Sequence, residues 1–235
     1  MAAIVFRGLT KTYRGTDAVD NLSAEVQPGR VTGFLGPNGA GKSTALRCLV
    51  ALASPTKGRT RILGKRYQAL RNPQQRVGVV LDSRGFHPGL TAYQNLRVLT
   101  TMGGIGKARI DEVLDEVELS DARNKRVKGF SLGMKQRLSL ASALLGAPEV
   151  LVLDEPANGL DPAGIAWLRS FITGQRDKGV TVLVSSHQLA ELETIVDDVI
   201  IINEGKLVAS GPVEDVTRGE RLEEVFLRLT AGDLV

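Results

Sequence analysis

One short segment near the amino terminus constrains the fold of this chain more than any other feature. It matches the spacing Gly-x-x-x-x-Gly-Lys-Ser, follows the apolar run Val31 to Leu35, and precedes a helical pattern over residues 44–53. Its glycines let the backbone turn so that successive N–H groups face one anion, and the dipole of the following helix adds positive potential. The residues predicted to surround the phosphates are Gly36, Asn38, Gly39, Ala40, Gly41, Lys42, Ser43 and Thr44.

A pair of carboxylates provides the second chemical signal. The apolar run Val150 to Leu153 has the form of a buried parallel strand and ends in Asp154 and Glu155. Ligands collect at the carboxyl ends of such strands. Together with Lys42 for the outer phosphates and the Ser43 hydroxyl for Mg²⁺, Asp154 is suited to hold the metal and Glu155 to polarise a water for attack on a γ-phosphate.

Composition narrows the classes of protein to which the chain could belong. The chain has 235 residues, 43% of them apolar, and no uninterrupted apolar stretch that could span a bilayer. Its amino terminus has no basic leader followed by a long apolar segment, and the single Cys48 lies in a core-like apolar pattern, so a cytoplasmic protein is expected. The net charge is only +4, the basic residues are dispersed and aromatics amount to 4%, which argues against a nucleic-acid groove.

Short apolar strand patterns alternate with helical stretches along most of the chain. This rhythm is typical of a parallel α/β sheet. Two helices are predicted between the third strand and the carboxylate strand, over Thr91 to Met102 and Lys107 to Leu119, and the second carries an apolar stripe opposite an acidic face. A last helix is predicted over Arg221 to Leu229. The strand patterns are Ile4 to Leu9, Val31 to Leu35, Val77 to Leu81, Val150 to Leu153, Val180 to Val184 and Val199 to Ile202.

A third motif makes a family resemblance specific. The segment Phe130-Ser131-Leu132-Gly133-Met134-Lys135-Gln136-Arg137 opens a helix and resembles the signature motif of ATP-binding cassette (ABC) proteins. The resemblance covers almost the whole chain. It implies an α/β fold, a P-loop NTPase with an ABC-type core: a mixed, mainly parallel sheet with flanking helices, an N-terminal antiparallel β portion and an inserted helical subdomain. The single nucleotide-binding domain would span 1–235, with a core lobe over 1–84 and 130–235 and the helical subdomain over about 85–129.

The resemblance also assigns further residues. Tyr13, after the first strand pattern, would stack on adenine; the alternative is an aromatic on a sheet surface. Ser131 and Gly133 would cap the nucleotide of a second cassette. His187 would be the switch residue that contacts the γ-phosphate, with a neutral core histidine as the alternative. Asp161 is compatible both with a loop acid between subunits and with a helix N-cap.

Two positions depart from the family pattern. Asp82 ends the strand pattern Val77 to Leu81, where the family usually has Gln, and it is either a Mg²⁺ ligand or an ordinary turn acid. The signature keeps Ser131 and Gly133 but lacks the usual first glycine and the glutamine. Both departures resemble cassettes that serve antibiotic and multidrug exporters of the ABC-2 class.

The expected function is therefore that of an ATPase subunit with ATP and Mg²⁺ as cofactors. It would drive export of a drug-like or antibiotic-like substrate through separate membrane-spanning permease subunits, pair with a second nucleotide-binding subunit as a homodimer, and lie on the inner face of the cell membrane. The alternative is an ABC ATPase acting on ribosomes or DNA, which would carry a second cassette or a long coiled coil. A non-hydrolysing module is disfavoured by the presence of Glu155.

Overall fold

The computed structural model describes residues 1–81, 85–187 and 192–230, arranged as two sheets with helices around them. The strands are β1 (Ile4–Tyr13), β2 (Thr16–Val26), β3 (Val31–Leu35), β4 (Lys57–Ile62), β5 (Val77–Val80), β6 (Val150–Leu153), β7 (Thr181–Ser186), β8 (Asp198–Asn203) and β9 (Lys206–Pro212). The helices are α1 (Lys42–Leu49), α2 (Pro73–Arg76), α3 (Ala92–Gly103), α4 (Ala108–Glu116), α5 (Leu132–Leu144), α6 (Pro162–Asp177), α7 (Val213–Thr217) and α8 (Leu222–Thr230).

The larger sheet confirms the predicted parallel architecture. Its six strands run in the order β5-β6-β7-β3-β8-β9, and every neighbouring pair is parallel except β8 and β9. Every residue of β3, β6 and β7 is buried, because α1 and the smaller sheet cover one face of this sheet and α5 and α6 cover the other. The carboxyl ends of β3, β6 and β7 therefore meet at one edge, where the loop, the carboxylates and His187 follow.

The smaller sheet is antiparallel and contains strands that the apolar patterns did not reveal. It has the order β2-β1-β4. The strands β2 and β4 carry polar residues on their exposed side, so neither contains a continuous apolar run. Pairing with β2 also extends β1 well beyond Leu9, and Tyr13 is its last residue rather than a residue after the strand.

The helical insert packs through the stripe predicted on its second helix. Ile110, Val113, Leu114 and Val117 are all fully buried or nearly so, in one apolar cluster with α5 and the inner face of the larger sheet. The stripe is thus internal packing, as predicted. The helix α5 touches α3, α4 and β5, so it joins the insert to the sheet. The division into two lobes at residues 84 and 130 stays a prediction.

Helix boundaries differ from the sequence estimates by a few residues. The helix α1 begins at Lys42 and ends at Leu49, before the left-handed Ala51, whereas the pattern suggested residues 44–53. The helix α4 ends at Glu116 because Glu118 is left-handed.

Cys48 is buried as expected, and α8 packs on the core through Leu222, Val225 and Phe226. Among the described residues, no helix has the length and apolar character needed to cross a membrane.

Candidate functional site

The loop between β3 and α1 ends in a helix N-terminus with no side-chain cap. Gly41 occupies the N-cap position with φ of 101°, and no side chain accepts a hydrogen bond there. A Cβ at Gly41 would lie 2.2 Å from the Ala18 carbonyl oxygen, so glycine is required both by conformation and by space. The first N–H groups of a helix have no intrahelical acceptor. Their availability fits a phosphate group at this position.

The loop is braced from β2 and from the β8–β9 turn. The Gly205 N–H donates to the Ala40 carbonyl at 3.0 Å, and the Asp20 N–H donates to the Gly205 carbonyl at 2.8 Å. Within the loop, the Ala40 N–H donates to the Pro37 carbonyl at 3.1 Å. Asn38 and Gly39 are exposed at the rim, whereas Gly36 is buried beneath it. The shape of the loop is therefore fixed by the protein itself.

Lys42 is folded into the loop rather than extended into solvent. Its side chain is 5% exposed, and Nζ donates to the Gly36 carbonyl at 2.6 Å and to the Pro37 carbonyl at 3.2 Å. A third partner is Glu155 Oε1, 3.2 Å from Nζ. A buried ammonium requires such compensation, because its desolvation is costly without a countercharge and hydrogen bonds. The ion pair joins the first chemical motif of the sequence to the second.

The two carboxylates leave the sheet in different directions. Residues Val150 and Val152 belong to the apolar cluster around α1, and strand alternation places Asp154 on the same side. The alternation ends at Glu155, which is left-handed with φ of 49°. Such a conformation costs a residue other than glycine roughly 1–2 kcal/mol. The turn directs the Glu155 side chain to Lys42 while Asp154 remains facing α1.

His187 completes a three-residue cluster at this edge. Its Nδ1 lies 2.6 Å from Glu155 Oε2, the carboxylate oxygen that Lys42 does not contact. The two oxygens of Glu155 therefore have separate partners, one cationic and one imidazole. The predicted residues Lys42, Glu155 and His187 lie far apart in sequence, and the structure brings them into direct contact.

Ser185, two residues before this histidine, was not singled out by the sequence analysis. Ser185 is fully buried, and its Oγ donates to Asp154 Oδ1 at 2.6 Å and accepts from the Glu155 N–H at 2.9 Å. The one available signal was its place at the carboxyl end of a buried strand, next to the strand that carries the acids. A polar residue at such a position is unusual enough to suggest a partner.

Tyr13 ends β1 in the β1–β2 hairpin, whose second strand approaches the loop between β3 and α1. Its ring is 47% exposed, and Lys11 Nζ lies 4.7 Å from the ring centroid. Tyr13 pairs with Thr16 at the start of β2, and Ala18 of that strand approaches Gly41. One face of the ring is covered by Lys11, and stacking on a flat group would therefore use the other face.

The predicted signature forms the exposed start of α5. Ser131 is its N-cap, and its hydroxyl accepts from the Met134 N–H at 3.2 Å. Leu132 is 46% exposed and lies against Gly159, where an added Cβ would come within 2.4 Å of the leucine. Asp161 caps α6 by accepting from the Gly164 N–H at 2.8 Å, which confirms the predicted N-cap with Pro162 at N1.

The donor types at the sheet edge suit a hard cation. Ser43 supplies a hydroxyl on α1 and Asp154 a carboxylate directed to that helix, and oxygen is the ligand that Mg²⁺ prefers. The predicted third donor, Asp82, lies outside the described residues. Within the described part of the chain, no group of three or more His, Cys, Asp or Glu side chains could hold a metal by itself. A Mg²⁺ ion here would need phosphate oxygens or waters to complete its coordination.

Comparison with known proteins places the chain in a family. The sequence model of the ABC transporter family matches residues 19–158. The chain is 44% identical to the bacitracin transport ATP-binding protein BcrA of Bacillus licheniformis over 218 residues, or 91% of this chain and 71% of the relative. It is 38% identical to the lantibiotic transport ATP-binding protein SrtF of Streptococcus pyogenes over 220 residues, 94% of each chain.

A solved structure supports the same assignment. It is described as an ATP binding subunit of an ABC transporter, has a TM-score of 0.87 and 27% identity, and the match covers 97% of this chain and 99% of that one. The fold, with an antiparallel sheet, a mixed six-stranded sheet and a helical insert, is therefore shared. This chain belongs to the ABC transporter family: it is the ATP-binding subunit of such a transporter, an ATPase whose hydrolysis of ATP drives transport.

Proposed function

We propose that the loop Gly36 to Thr44 holds the phosphates of ATP, that Ser43 and Asp154 hold Mg²⁺, and that Glu155 polarises the attacking water. The observation that carries this proposal is the convergence of Lys42 and His187 on the two oxygens of Glu155, at 3.2 and 2.6 Å. It unites a phosphate-binding cation, a candidate base and an orienting imidazole in one cluster. When bound, Mg²⁺ would neutralise charge on the phosphate oxygens.

Each residue of the cluster then has a distinct role. Lys42 is already held inside the loop, so its charge is in place before nucleotide arrives. His187 fixes the orientation of the Glu155 carboxylate through Nδ1, which limits the directions in which that carboxylate can hold a water. Tyr13 offers an exposed ring to adenine. The role of Asp82 stays a prediction, with Mg²⁺ ligand and turn acid as its two alternatives.

Replacing Glu155 by Gln tests this proposal. Glutamine keeps the size but cannot accept a proton, so turnover should fall at least about 100-fold while ATP binding is retained. Glu149→Gln is the matched control, since Glu149 precedes the opposite end of β6, is ion-paired with Arg76 and lies away from the loop. Phosphate release and equilibrium ATP binding are measured on both variants. Hydrolysis by Glu155→Gln at the rate of Glu149→Gln would overturn the assignment.

The second nucleotide-binding subunit is proposed to be another copy of this chain. Ser131 and Leu132 are exposed at the start of α5, beside the segment Asn158 to Asp161 of the same chain. An exposed helix start with donors is suited to bind an anion from outside the chain. In a C₂ pair, each such start would close over the nucleotide on the loop of the other subunit.

A groove on the helical insert supports the proposed membrane-spanning partner. A cavity of about 370 Å³ lies between α3, α5 and β5, and a second of about 210 Å³ adjoins it through the shared residues Val79, Leu99 and Ser142. Three apolar side chains of α3 along it are exposed, Val98 at 49%, Leu99 at 37% and Met102 at 74%. A contiguous exposed apolar patch is typical of an interaction surface. Docking of separate permease subunits there would place the chain on the inner face of the cell membrane.

The cargo is proposed to be an antibiotic-like molecule moved outward. The support is the resemblance to the bacitracin and lantibiotic transport proteins over nine-tenths of this chain. The test is to co-purify the membrane chain, reconstitute the complex in vesicles and measure ATP-dependent movement of bacitracin, with Lys42→Ala as the inactive control. Transport equal with both proteins, or none of any antibiotic tried, would contradict this cargo class but not the ATPase site.

A further inference from the structure

We propose that Ser185 is a positioning residue that fixes both carboxylates of the nucleotide site in their working orientation. This inference rests on the proposed roles of Asp154 toward Mg²⁺ and of Glu155 toward water. It adds to the site a residue on a different strand, β7, which acts through its contacts with the two acids that follow β6.

The contacts of Ser185 use the one proton of its hydroxyl and one of its two lone pairs. Oγ lies 2.6 Å from Asp154 Oδ1 and 2.9 Å from the Glu155 backbone nitrogen, in a side chain with no exposed surface. An ionised carboxylate only accepts hydrogen bonds and a backbone N–H only donates them. The hydroxyl proton must therefore point to Asp154 while a lone pair receives the N–H of Glu155. The two neighbours fix the rotor without any alternative arrangement.

Strand register explains why this position and no other can make both contacts. The last parallel pair between β6 and β7 is Leu153 with Val184, so Ser185 is level with Asp154. Leu183, two residues earlier on β7, packs in the apolar cluster around α1, and alternation places Ser185 on that same side. Asp154 faces the same direction. A hydroxyl at residue 185 thus reaches across a single inter-strand gap.

The second contact stabilises the turn that separates the two acids. Glu155 has φ of 49°, a conformation that persists in residues other than glycine only where surrounding contacts hold it. Its N–H is donated to Ser185 Oγ, so the serine holds the backbone at the point where the carboxylate turns toward Lys42 and His187. The first contact holds Asp154 Oδ1, and thereby sets the orientation in which the carboxylate would reach a cation.

Loss of the hydroxyl therefore has a specific expected consequence. Without it, Asp154 gains rotational freedom and the Glu155 N–H loses its acceptor, while the loop that binds phosphate is untouched. Nucleotide binding without metal should stay within about twofold of wild type, whereas the gain in affinity produced by Mg²⁺ should fall roughly 10-fold. Turnover should fall about 10-fold to 100-fold.

The experiment measures binding of a fluorescent ADP analogue, in EDTA and across a Mg²⁺ titration, to the full chain. ADP is chosen because it is not hydrolysed and has no γ-phosphate. The variants are Ser185→Ala and Ser185→Cys, the second of which fills the same space with a weak donor. Thr32→Val is the matched control, because Thr32 is fully buried in the neighbouring strand β3 and its hydroxyl has no partner among the described residues. Thermal unfolding is recorded for each protein.

The proposal is supported if Ser185→Cys and Ser185→Ala show a reduced Mg²⁺ response and unchanged binding in EDTA. Thr32→Val should then show a normal Mg²⁺ response. A wild-type Mg²⁺ response in either serine variant overturns it, and so does an equal loss of binding with and without metal, since that would be a general structural effect. The Cys variant decides the question if the Ala variant does not fold. A wild-type protein with no Mg²⁺ response would instead overturn the proposed metal site.

Discussion

Two helices of this protein begin at residues assigned to nucleotide binding, and their N-termini are built in opposite ways. The start of α1 has a left-handed glycine and no side-chain cap, and Lys42 beside it is buried and contacted by Glu155. The start of α5 is capped by its own Ser131 hydroxyl and is exposed, with Leu132 at 46%. One helix start is enclosed by the chain and lacks an acceptor, whereas the other has an acceptor and faces outward.

Under the proposed function, this difference assigns separate tasks to the two subunits. An uncapped N-terminus inside a braced loop is prepared to receive a phosphate from solvent without any partner. A capped and exposed N-terminus is stable in the isolated chain and gains its ligand when a second subunit brings one. Substitutions at the start of α1 should therefore affect nucleotide binding by one chain, whereas substitutions at the start of α5 should affect the association of two chains.

The largest expected effect is the contrast between two substitutions that each add one methyl group at a helix start. Gly41→Ala places Cβ 2.2 Å from the Ala18 carbonyl oxygen at φ of 101°, so the loop must distort and ADP affinity should fall at least about 100-fold. Gly133→Ala meets only Leu160, at 3.8 Å, and φ there is not positive, so ADP binding should be unchanged. Calorimetric titration of both variants checks this contrast. Similar ADP affinities in the two would contradict it.

An intermediate effect is expected on association. Glu155→Gln should dimerise in ATP and Mg²⁺ but not in ADP, because slowed hydrolysis preserves the γ-phosphate that both subunits would contact. Adding Ser131→Ala should weaken that dimer at least about 10-fold and, as a lost cap, cost about 1 kcal/mol of stability. Thr91→Ala is the matched control, since Thr91 caps α3 in the same way. Light scattering reports the mass.

Two outcomes would break this part of the comparison. No ATP-dependent increase in mass would argue against a homodimer and favour a different second subunit. An equal loss of dimer in the Ser131→Ala and Thr91→Ala backgrounds would mean that helix stability, and not the exposed hydroxyl, controls association.

The smallest effect concerns how the insert is fixed to the core. Glu116 at the end of α4 accepts from Gln175 at 2.7 Å and is ion-paired with Lys178 beyond α6. Burial raises the pKa of Glu116, but the hydrogen bonds from Lys178 and Gln175 and the charges of Lys178 and Arg109 outweigh it, so the pKa lies below its ordinary value. A lowered folded-state pKa stabilises the protein above the unfolded pKa, and that contribution is lost as pH falls through the folded value.

Glu116→Gln should therefore lower the free energy of unfolding by about 0.5–1 kcal/mol at pH 7. The difference from wild type should shrink as the pH falls through the acidic range. Urea unfolding at several pH values measures the difference from wild type. Glu112→Gln is the control, because its carboxylate is 60% exposed and its partner Arg109 lies on the same helix. A cost at Glu116 that is independent of pH would show that the carboxylate charge is not what stabilises the contact.

The sequence predicted five of the six strands of the larger sheet, all but β9, and only β1 of the smaller sheet, for a physical reason. Strands such as β6 and β7 are buried on both faces and appear as apolar runs. The strand β4 has two buried residues among six and reads Lys-Gly-Arg-Thr-Arg-Ile, so only its pairing with β1 identifies it. In the same way, only the pairing with β2 shows that β1 extends to Tyr13. A strand with one solvated face carries little apolar signal of its own.

By itself, the sequence determined the local motifs of this protein: a Gly-rich loop between a strand and a helix, two acids at a strand end, and a serine that starts a second helix. Those features depend on neighbours in the chain, so spacing was sufficient to find them. Only the tertiary structure brought Lys42, Glu155 and His187 into one cluster and set Ser185 between the acids. These contacts depend on the order and register of β3, β6 and β7, which hydrogen bonds between distant segments fix and no local pattern records.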